Sequence, residues 1–337
     1  MDFKDFTLGK NDNDRRLDKI IRAFASNLSL SEIYKYLRKG FIKINGKKTK
    51  PEAKVFENDV LSIASFILEK NENQPSSADS PSTRQSSLPS AALPPLKPVF
   101  ENEHILIIDK PYDISVHGSA DSLDRQVYAY FKEHHLEASL SFKPGPLHRL
   151  DRKTTGLLCF SMSLEGARWF SQNIQTHTIQ KKYIALVCGK LLKSESWEDE
   201  IKKIDDDKSF KTVKARKISE GEQAFEAAYK KAVTLASPLG YGKYEGMDVT
   251  LVSFDIKTGR THQIRAQSAL HKYPLLGDSA YGGRKISGKK SRDFFLTAIE
   301  LSFPKDNPLG LPASVKLPFP EDFKSFLRSC SIEDFSL

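Results

Sequence analysis

Between His148 and Leu158 the chain reads His-Arg-Leu-Asp-Arg-Lys-Thr-Thr-Gly-Leu-Leu, preceded by Pro144-Gly145-Pro146 and leading into an apolar run. One carboxylate, Asp151, stands between Arg149 and Arg152. Positive neighbours favour the ionised form of a carboxylate and allow it to be held in one pose. In an extended segment, Arg149 and Asp151 project to the same side. Taken alone, the stretch would also suit a charged surface turn, so the rest of the chain has to decide.

At 337 residues the chain is too long for one small core and predicts two domains or three. Its formal charge of +9 is unevenly placed: Arg15 to Lys54 holds 12 Lys and Arg against 3 Asp and Glu, which accounts for the whole excess. A basic block of this kind reads as an electrostatic footprint for a polyanion. Cys159, Cys188 and Cys330 have no paired spacing, so neither a disulfide framework nor a zinc ribbon is expected, and a reducing, cytoplasmic compartment is the default. No N-terminal signal and no apolar run of membrane-spanning length is apparent, so no membrane association is expected.

Residues 1–70 are predicted to form a small α+β module. Ser29 or Ser31 can cap a helix that ends at Gly40, with Ile33 and Leu37 facing a core and Lys35, Arg38 and Lys39 mostly elsewhere around it. Phe41 to Ile44 alternates like a strand and carries Lys43, Asn45-Gly46 is a hairpin signal followed by Lys47, and Val60 to Ile63 is another short strand. Residues 71–98, rich in Ser and Pro, are predicted to be a flexible linker, because they have too little apolar surface to offset their ordering entropy. Residues 99–337 read as a mixed α/β segment with many strands. They include a strand over Ile105 to Ile108 that Asp109-Lys110-Pro111 breaks, and a helix over Leu123 to His134. A strand over Gly156 to Met162, a helix capped by Ser163 and a strand over Lys181 to Val187 follow.

The His148–Leu158 stretch resembles the H-R-L-D-x-x-T-S-G-L-L motif of the RluA-type pseudouridine synthases, which isomerise uridine in RNA; Thr155 stands where Ser is usual. The resemblance continues through Asp109-Lys110-Pro111 with Val116-His117, with Asp113 at a position where Gly is usual. It extends to Lys181-x-Tyr183-x-Ala185-Leu186-Val187, Thr258-Gly-Arg-Thr-His-Gln-Ile-Arg265, and Pro274 to Asp278 with Tyr281-Gly282. The N-terminal segments Arg16 to Lys19, Ile33 to Gly40, Ile44 to Lys47 and Asn58 to Leu61 are similar to the S4 RNA-binding module. These resemblances imply an α+β chain: a small S4-type module, then a pseudouridine-synthase catalytic domain on a mixed, mostly antiparallel sheet. They imply Asp151, Tyr183 and Arg265 as catalytic residues, and Arg149 as the side chain that enters the vacated base stack.

The chemistry can be argued beside the resemblance. Breaking a uridine N-glycosidic bond needs a fixed anionic group at C1′ or C2′, and Asp151 could attack C1′ or take the 2′ proton. Tyr183 could stack on the base, with its oxygen placed to take the C5 proton, and Arg265 could pair with Asp151. Arg260 and His262 are candidate phosphate contacts, and Lys35, Arg38, Lys39, Lys43 and Lys47 are the candidate RNA face of the module. The target base must leave its stack first. No redox or phosphoryl-transfer step is involved, so no cofactor and no metal are expected. There is no phosphate-cradling GxxxxGK[ST] and no GxGxxG after a strand, so no nucleotide cofactor is expected either. The expected partner is RNA, 23S ribosomal RNA or a large-subunit precursor, and the chain is expected to be a monomer. The competing expectations are a tRNA pseudouridine synthase, a non-catalytic RNA-binding or assembly factor, and an RNA N-glycosidase that would release free uracil.

Overall fold

The basic N-terminal segment wraps a three-stranded sheet. The computed structural model describes residues 1–73, 94–134, 139–204, 212–218, 228–288 and 292–333. Strand β1 (Phe3–Thr7) is followed by β2 (Arg15–Arg16), α1 (Leu17–Phe24), α2 (Leu30–Lys39), β3 (Ile42–Ile44), β4 (Lys54–Val55), β5 (Val60–Ala64) and α3 (Ser65–Asn73). The sheet runs β1-β5-β3, antiparallel throughout, and β2 pairs with β4. Helix α2 starts where its cap dictates. The Ser29 hydroxyl accepts from the Glu32 N–H while Glu32 bonds back to the Ser29 N–H, and Gly40 closes the helix at φ 74°, a conformation glycine adopts without a Cβ penalty. Ile33 and Leu37 are buried, leaving Lys35, Arg38 and Lys39 exposed.

Two local expectations are corrected here. Asn45-Gly46 makes the turn, with φ 49° and 73°, but the returning chain forms only a single bridge, Ile44 to Lys47. Both bonds of the two-residue turn form between Ile44 and Lys47, but the Lys47-Lys48-Thr49-Lys50 run has no apolar face to bury and does not continue the ladder, while β5 pairs with β3 along its other edge. Asn45 fixes the β5 side: its side chain bonds Asp59 and the Val60 N–H, both at 2.8 Å. In the segment predicted as linker, residues 71–73 belong to α3, whose Ile67 and Leu68 pack on the module's core. Residues 74–93 of that segment lie outside the described residues.

From Pro98 the chain builds an eleven-stranded sheet, counted among the described residues. Its elements are β6 (Pro98–Glu101), β7 (Ile105–Lys110), α4 (Leu123–His134), β8 (Gly145–Pro146), β9 (Thr155–Ser161), α5 (Leu164–Gln175), β10 (Gln180–Cys188) and β11 (Glu195–Ile204). They continue through β12 (Thr212–Lys217), β13 (Lys230–Tyr244), β14 (Met247–Ile256), α6 (Gln263–Leu270), β15 (Leu296–Ser302), β16 (Ser314–Lys316) and α7 (Glu321–Ser329). The order is β12-β11-β13-β14-β10-β15-β9-β7-β6, with β16 on β15 and β8 on β9. Every pairing is antiparallel except β9 with β15. At that parallel seam Gly156 has φ 104°, and a Cβ there would lie 2.2 Å from the Ala298 carbonyl oxygen, so only glycine fits.

Strand β7 runs two residues further than Asp109-Lys110-Pro111 suggested, because Asp109 and Lys110 stay in register with Leu157 and Gly156. Strand β9 is buried along its whole length between two apolar layers, which is why its sequence reads as a continuous apolar run. Among the described residues, no helix is long and apolar enough to cross a membrane.

The two sheets meet through a polar contact. Asp12 is fully buried and accepts from Ser139 Oγ at 2.6 Å, Ser141 Oγ at 2.5 Å and the Gly9 N–H at 3.1 Å. Asn11 Oδ1 accepts from the Leu164 N–H at the start of α5, and Leu140 packs on the N-terminal core. A depression of about 800 Å³ between Lys10, Glu57, Glu103 and Arg168 borders this contact; its mixed charges and its distance from Asp151 separate it from the site described next.

Candidate active site

Asp151 sits in the turn between β8 and β9, where its carbonyl accepts from the Thr154 N–H at 3.0 Å. That turn is clamped from beneath by Lys110, a fully buried lysine at the end of β7. Its ammonium donates to the carbonyls of Pro111, Arg152 and Thr154 at 2.9, 2.8 and 2.8 Å. Burial lowers its pKa to about 7, the nearby Asp151 and Asp113 charges opposing the fall. On the outer side Arg152 bonds Asp113, whose φ of 62° places an aspartate in a left-handed turn usually filled by glycine. The departure from the family motif thus supplies a partner for Arg152.

His148 is part-buried; its Nε2 accepts from the Cys159 N–H at 3.1 Å, and its ring stacks on Phe170. Burial, then the Lys181 charge, takes its pKa down to about 3, so it stays neutral and supports the loop.

The structure brings Asp151, Tyr183 and Arg265 to one recess. Arg149, Asp151, Tyr183 and Arg260 line a cleft of about 590 Å³, and the same four residues with His262 and Arg265 line a smaller pocket contiguous with it. Arg265 Nη1 and His262 Nε2 each stand 3.7 Å from Asp151 Oδ2. Yet the main partner of Arg265 is Asp278, which it meets through Nε at 2.6 Å and Nη2 at 2.8 Å, both residues buried. Burial, the largest single effect, works against the Arg265 charge, but the Asp278 hydrogen bond and the charges of Asp278 and Asp151 together outweigh it, so its pKa ends above the ordinary value. The guanidinium also lies between the rings of Tyr281 and Phe294, 4.9 and 4.8 Å from their centroids.

Tyr183 is buried on β10, opposite Phe254 of β14 and Ala298 of β15, beside a register shift that follows Lys182. Such irregularities re-aim side chains next to sites. Burial, and then the Asp151 charge, pushes its hydroxyl pKa up, so it stands as a neutral phenol.

The remaining candidates are distributed as follows. Arg149 is exposed at the cleft. Arg260 donates Nε to the Lys231 carbonyl at 3.0 Å, so it braces its loop as well as lining the cleft. His262, expected as a phosphate contact, is the left-handed N-cap of α6; its Nδ1 bonds Tyr281 Oη at 2.8 Å and its Nε2 faces Asp151. Lys35, Arg38, Lys39, Lys43 and Lys47 lie on the N-terminal module, and none of them lines the Asp151 cleft. The sequence reading missed the structural use of Lys110 and Asp278, although both lay within quoted motifs. Among the described residues no cluster of ligating side chains could hold a metal.

The recess thus holds a carboxylate beside a buried arginine and a buried tyrosine on a large mixed sheet. Residues 104–270 match the family described as RNA pseudouridylate synthase. A protein of Buchnera aphidicola subsp. Schizaphis graminum named ribosomal large subunit pseudouridine synthase C is 30% identical over 329 residues, covering 94% of each chain. One of the same name from Vibrio cholerae serotype O1 is 28% identical over 299 residues, covering 86% of this chain and 85% of its own. The solved structure of human RNA pseudouridylate synthase domain containing 1 has the same fold, with TM-score 0.56 and 23% identity over 74% of this chain and 94% of that one. The chain belongs to the RNA pseudouridine synthases, and within them to the RluA-type family.

Proposed function

We propose that the chain converts particular uridines of large-subunit 23S ribosomal RNA to pseudouridine, with Asp151, Tyr183 and Arg265 as its catalytic residues. The observation that carries this reading is the Asp151 carboxylate, with Arg265 and His262 each 3.7 Å from Oδ2, in a pocket that Tyr183 also lines. The names of the large-subunit relatives support the choice of RNA.

In this reading Asp151 acts on the ribose of a uridine drawn out of its stack, at C1′ or C2′, while Arg265 fixes its pose. Tyr183 enters as a neutral phenol that stacks on the base and holds it while it turns from N1 to C5. A C5 proton taken at its oxygen has to be matched by release of the phenolic one. Arg149, exposed at the cleft mouth, fills the space the base leaves. Residues up to the end of α3 act as an S4-type RNA-binding module gripping through Lys35, Arg38, Lys39, Lys43 and Lys47, with the segment between α3 and β6 as the tether and the chain from β6 onward as the catalytic domain. Three free cysteines suit work in the reducing cytoplasm, where the chain is proposed to act as a monomer.

The test is pseudouridine mapping on a 23S ribosomal RNA transcript incubated with the purified chain, with Asp151→Asn as control. New pseudouridines that depend on Asp151 are the expected result. Modification of transfer RNA alone would overturn the choice of RNA. Free uracil without pseudouridine would overturn the reaction, and unchanged product from Asp151→Asn would remove the carboxylate from its role.

A further inference from the structure

Three neighbouring lysines meet three different fates. Lys110 is buried and spends its charge on three carbonyls. Lys182 points to Asp255 and Glu300, at 3.9 and 4.0 Å. Lys181 is 93% buried, with 7% of its surface exposed, and its ammonium has no hydrogen bond and no ion pair among the described residues. Most of the side chain is out of water while the nitrogen opens onto the cleft, so this charge is poorly solvated and has no protein counter-charge among the described residues. Burial indeed lowers the Lys181 pKa, Cys159 opposing the fall and Arg260 adding to it, and the Lys181 charge is felt in turn by His148.

The place where this ammonium is held suggests what completes it. Lys181 lines the same cleft as Asp151 and Tyr183, and it lies two residues from Tyr183 on β10, roughly 7 Å along a strand. The other charged side chains of that lining are Arg149, Lys257 and Arg260, and Asp151 is its one acid among the described residues. Over the ammonium the wall is bare backbone: a Cβ added to Gly259 would come within 3.2 Å of Lys181 Nζ. Glycine at such a point lets a ligand approach a charge closely.

We propose that Lys181 anchors a phosphate subsite, binding a backbone phosphate that flanks the target uridine, under the bare shoulder of Gly259. The inference rests on the RNA reading above and deepens it. A uridine whose C1′ lies at Asp151 carries its own phosphates within one nucleotide of that point, and Lys181 lines the same cleft. A compact ammonium on a flexible stem suits a single phosphate oxygen as a point charge. With the phosphate bound, the lysine is paired; without it, the charge has only the water of the cleft. The site therefore discriminates RNA lying along the cleft from a free base or nucleoside.

The experiment uses a ribosomal RNA oligonucleotide that the wild-type chain converts, with neutral methylphosphonate placed singly at each phosphate flanking the modified uridine. Affinity and single-turnover rate are measured for wild type, Lys181→Met, Lys181→Arg and Gly259→Ala. Lys181→Met is expected to bind the intact oligonucleotide roughly tenfold to a hundredfold more weakly, the worth of one charge-assisted hydrogen bond. One methylphosphonate should cost the wild type a similar factor and cost Lys181→Met almost nothing. Lys181→Arg should recover part of the loss, and Gly259→Ala should weaken binding only of the intact RNA. Losses that simply multiply at every flanking phosphate would overturn the subsite. So would a Lys181→Met variant that binds normally and fails only in rate, which would make the lysine a proton carrier. If the wild type makes pseudouridine in no RNA, the proposed function itself falls, and that outcome is read before any variant is compared.

Discussion

Arg265 grips Asp278 with two parallel bonds, of 2.6 and 2.8 Å, and thereby presents its remaining edge to Asp151 at 3.7 Å. The arginine is thus oriented from behind by one carboxylate in order to face another. A bidentate pair fixes the guanidinium plane as a single bond would not. Because both partners are buried, the geometry does not depend on solvent screening.

Asp278→Asn therefore separates orientation from charge. The amide keeps the shape but supplies only one acceptor and no counter-charge, leaving Asp151 as the nearest anion for Arg265. Pseudouridine formation should fall at least about tenfold with RNA affinity nearly unchanged. Breaking a buried pair also costs roughly 3–5 kcal/mol of stability. Single-turnover kinetics beside denaturant unfolding tests this; a variant with normal rate would make Asp278 a purely structural partner.

Lys110 gives a prediction with a definite sign. Its pKa is lowered from an ordinary 10.5 to about 7 in the folded chain. Between those values the unfolded chain binds a proton that the folded chain does not, so stability rises with pH through that window, by at most about 1.4 kcal/mol per pH unit. Below about 7 both states are protonated and the penalty is present in full. Lys110→Met lacks this slope and leaves three carbonyls of the Asp151 turn without their donor. The stability advantage of wild type over Lys110→Met should widen from pH 7 to 10 in urea titrations. A gap that stays constant would place the lysine's titration outside this range.

How much of this was legible depends on the range of the interaction. Local signals read true: a serine cap, which falls on Ser29, the stop at Gly40 and the helix over Leu123–His134 are each settled within a few residues. The convergence of Asp151, Tyr183 and Arg265 was visible only through three motifs in family order, because no local rule joins residues on β9's approach, β10 and α6. What stayed hidden was decided by tertiary packing. Lys110 reads as a strand breaker beside Pro111, yet its ammonium reaches carbonyls more than 40 residues away. Asn45-Gly46 makes its hairpin turn, yet the ladder stops after Ile44–Lys47, and β3 is held in the sheet by β5 on its other edge. The long β13–β14 hairpin turns at Glu245-Gly246, with φ 45° and 80°, a far weaker signal than Asn-Gly.

The basic face of the N-terminal module is tested by salt rather than by affinity alone. Lys35, Arg38 and Lys39 are exposed on α2, so replacing all three with Ala should leave the fold intact. Removing one lysine–phosphate or arginine–phosphate pairing should reduce the slope of log K against log salt by roughly 0.7 to 0.9. A triple variant with weaker binding and a slope reduced by about two units would assign these residues to the RNA footprint. An unchanged slope would remove them from it.

The Asp12 contact makes the separation of module and sheet a measurable quantity. Its carboxylate is fully buried and accepts from Ser139 and Ser141, while Asn11 caps the chain entering α5. Asp12→Ala removes every acceptor at once and leaves two hydroxyls and the Gly9 N–H facing an apolar methyl. Each stranded donor costs about 1–3 kcal/mol, a large share of what a contact this small can supply. The variant should keep both cores, since Asp12 belongs to neither apolar cluster. Hydrogen exchange should then accelerate around Gly9 and at the Ser141, Phe142 and Leu164 amides, but not within β5 or β9. Exchange that rises evenly through both sheets would instead mean that Asp12 holds the module's own fold rather than its attachment.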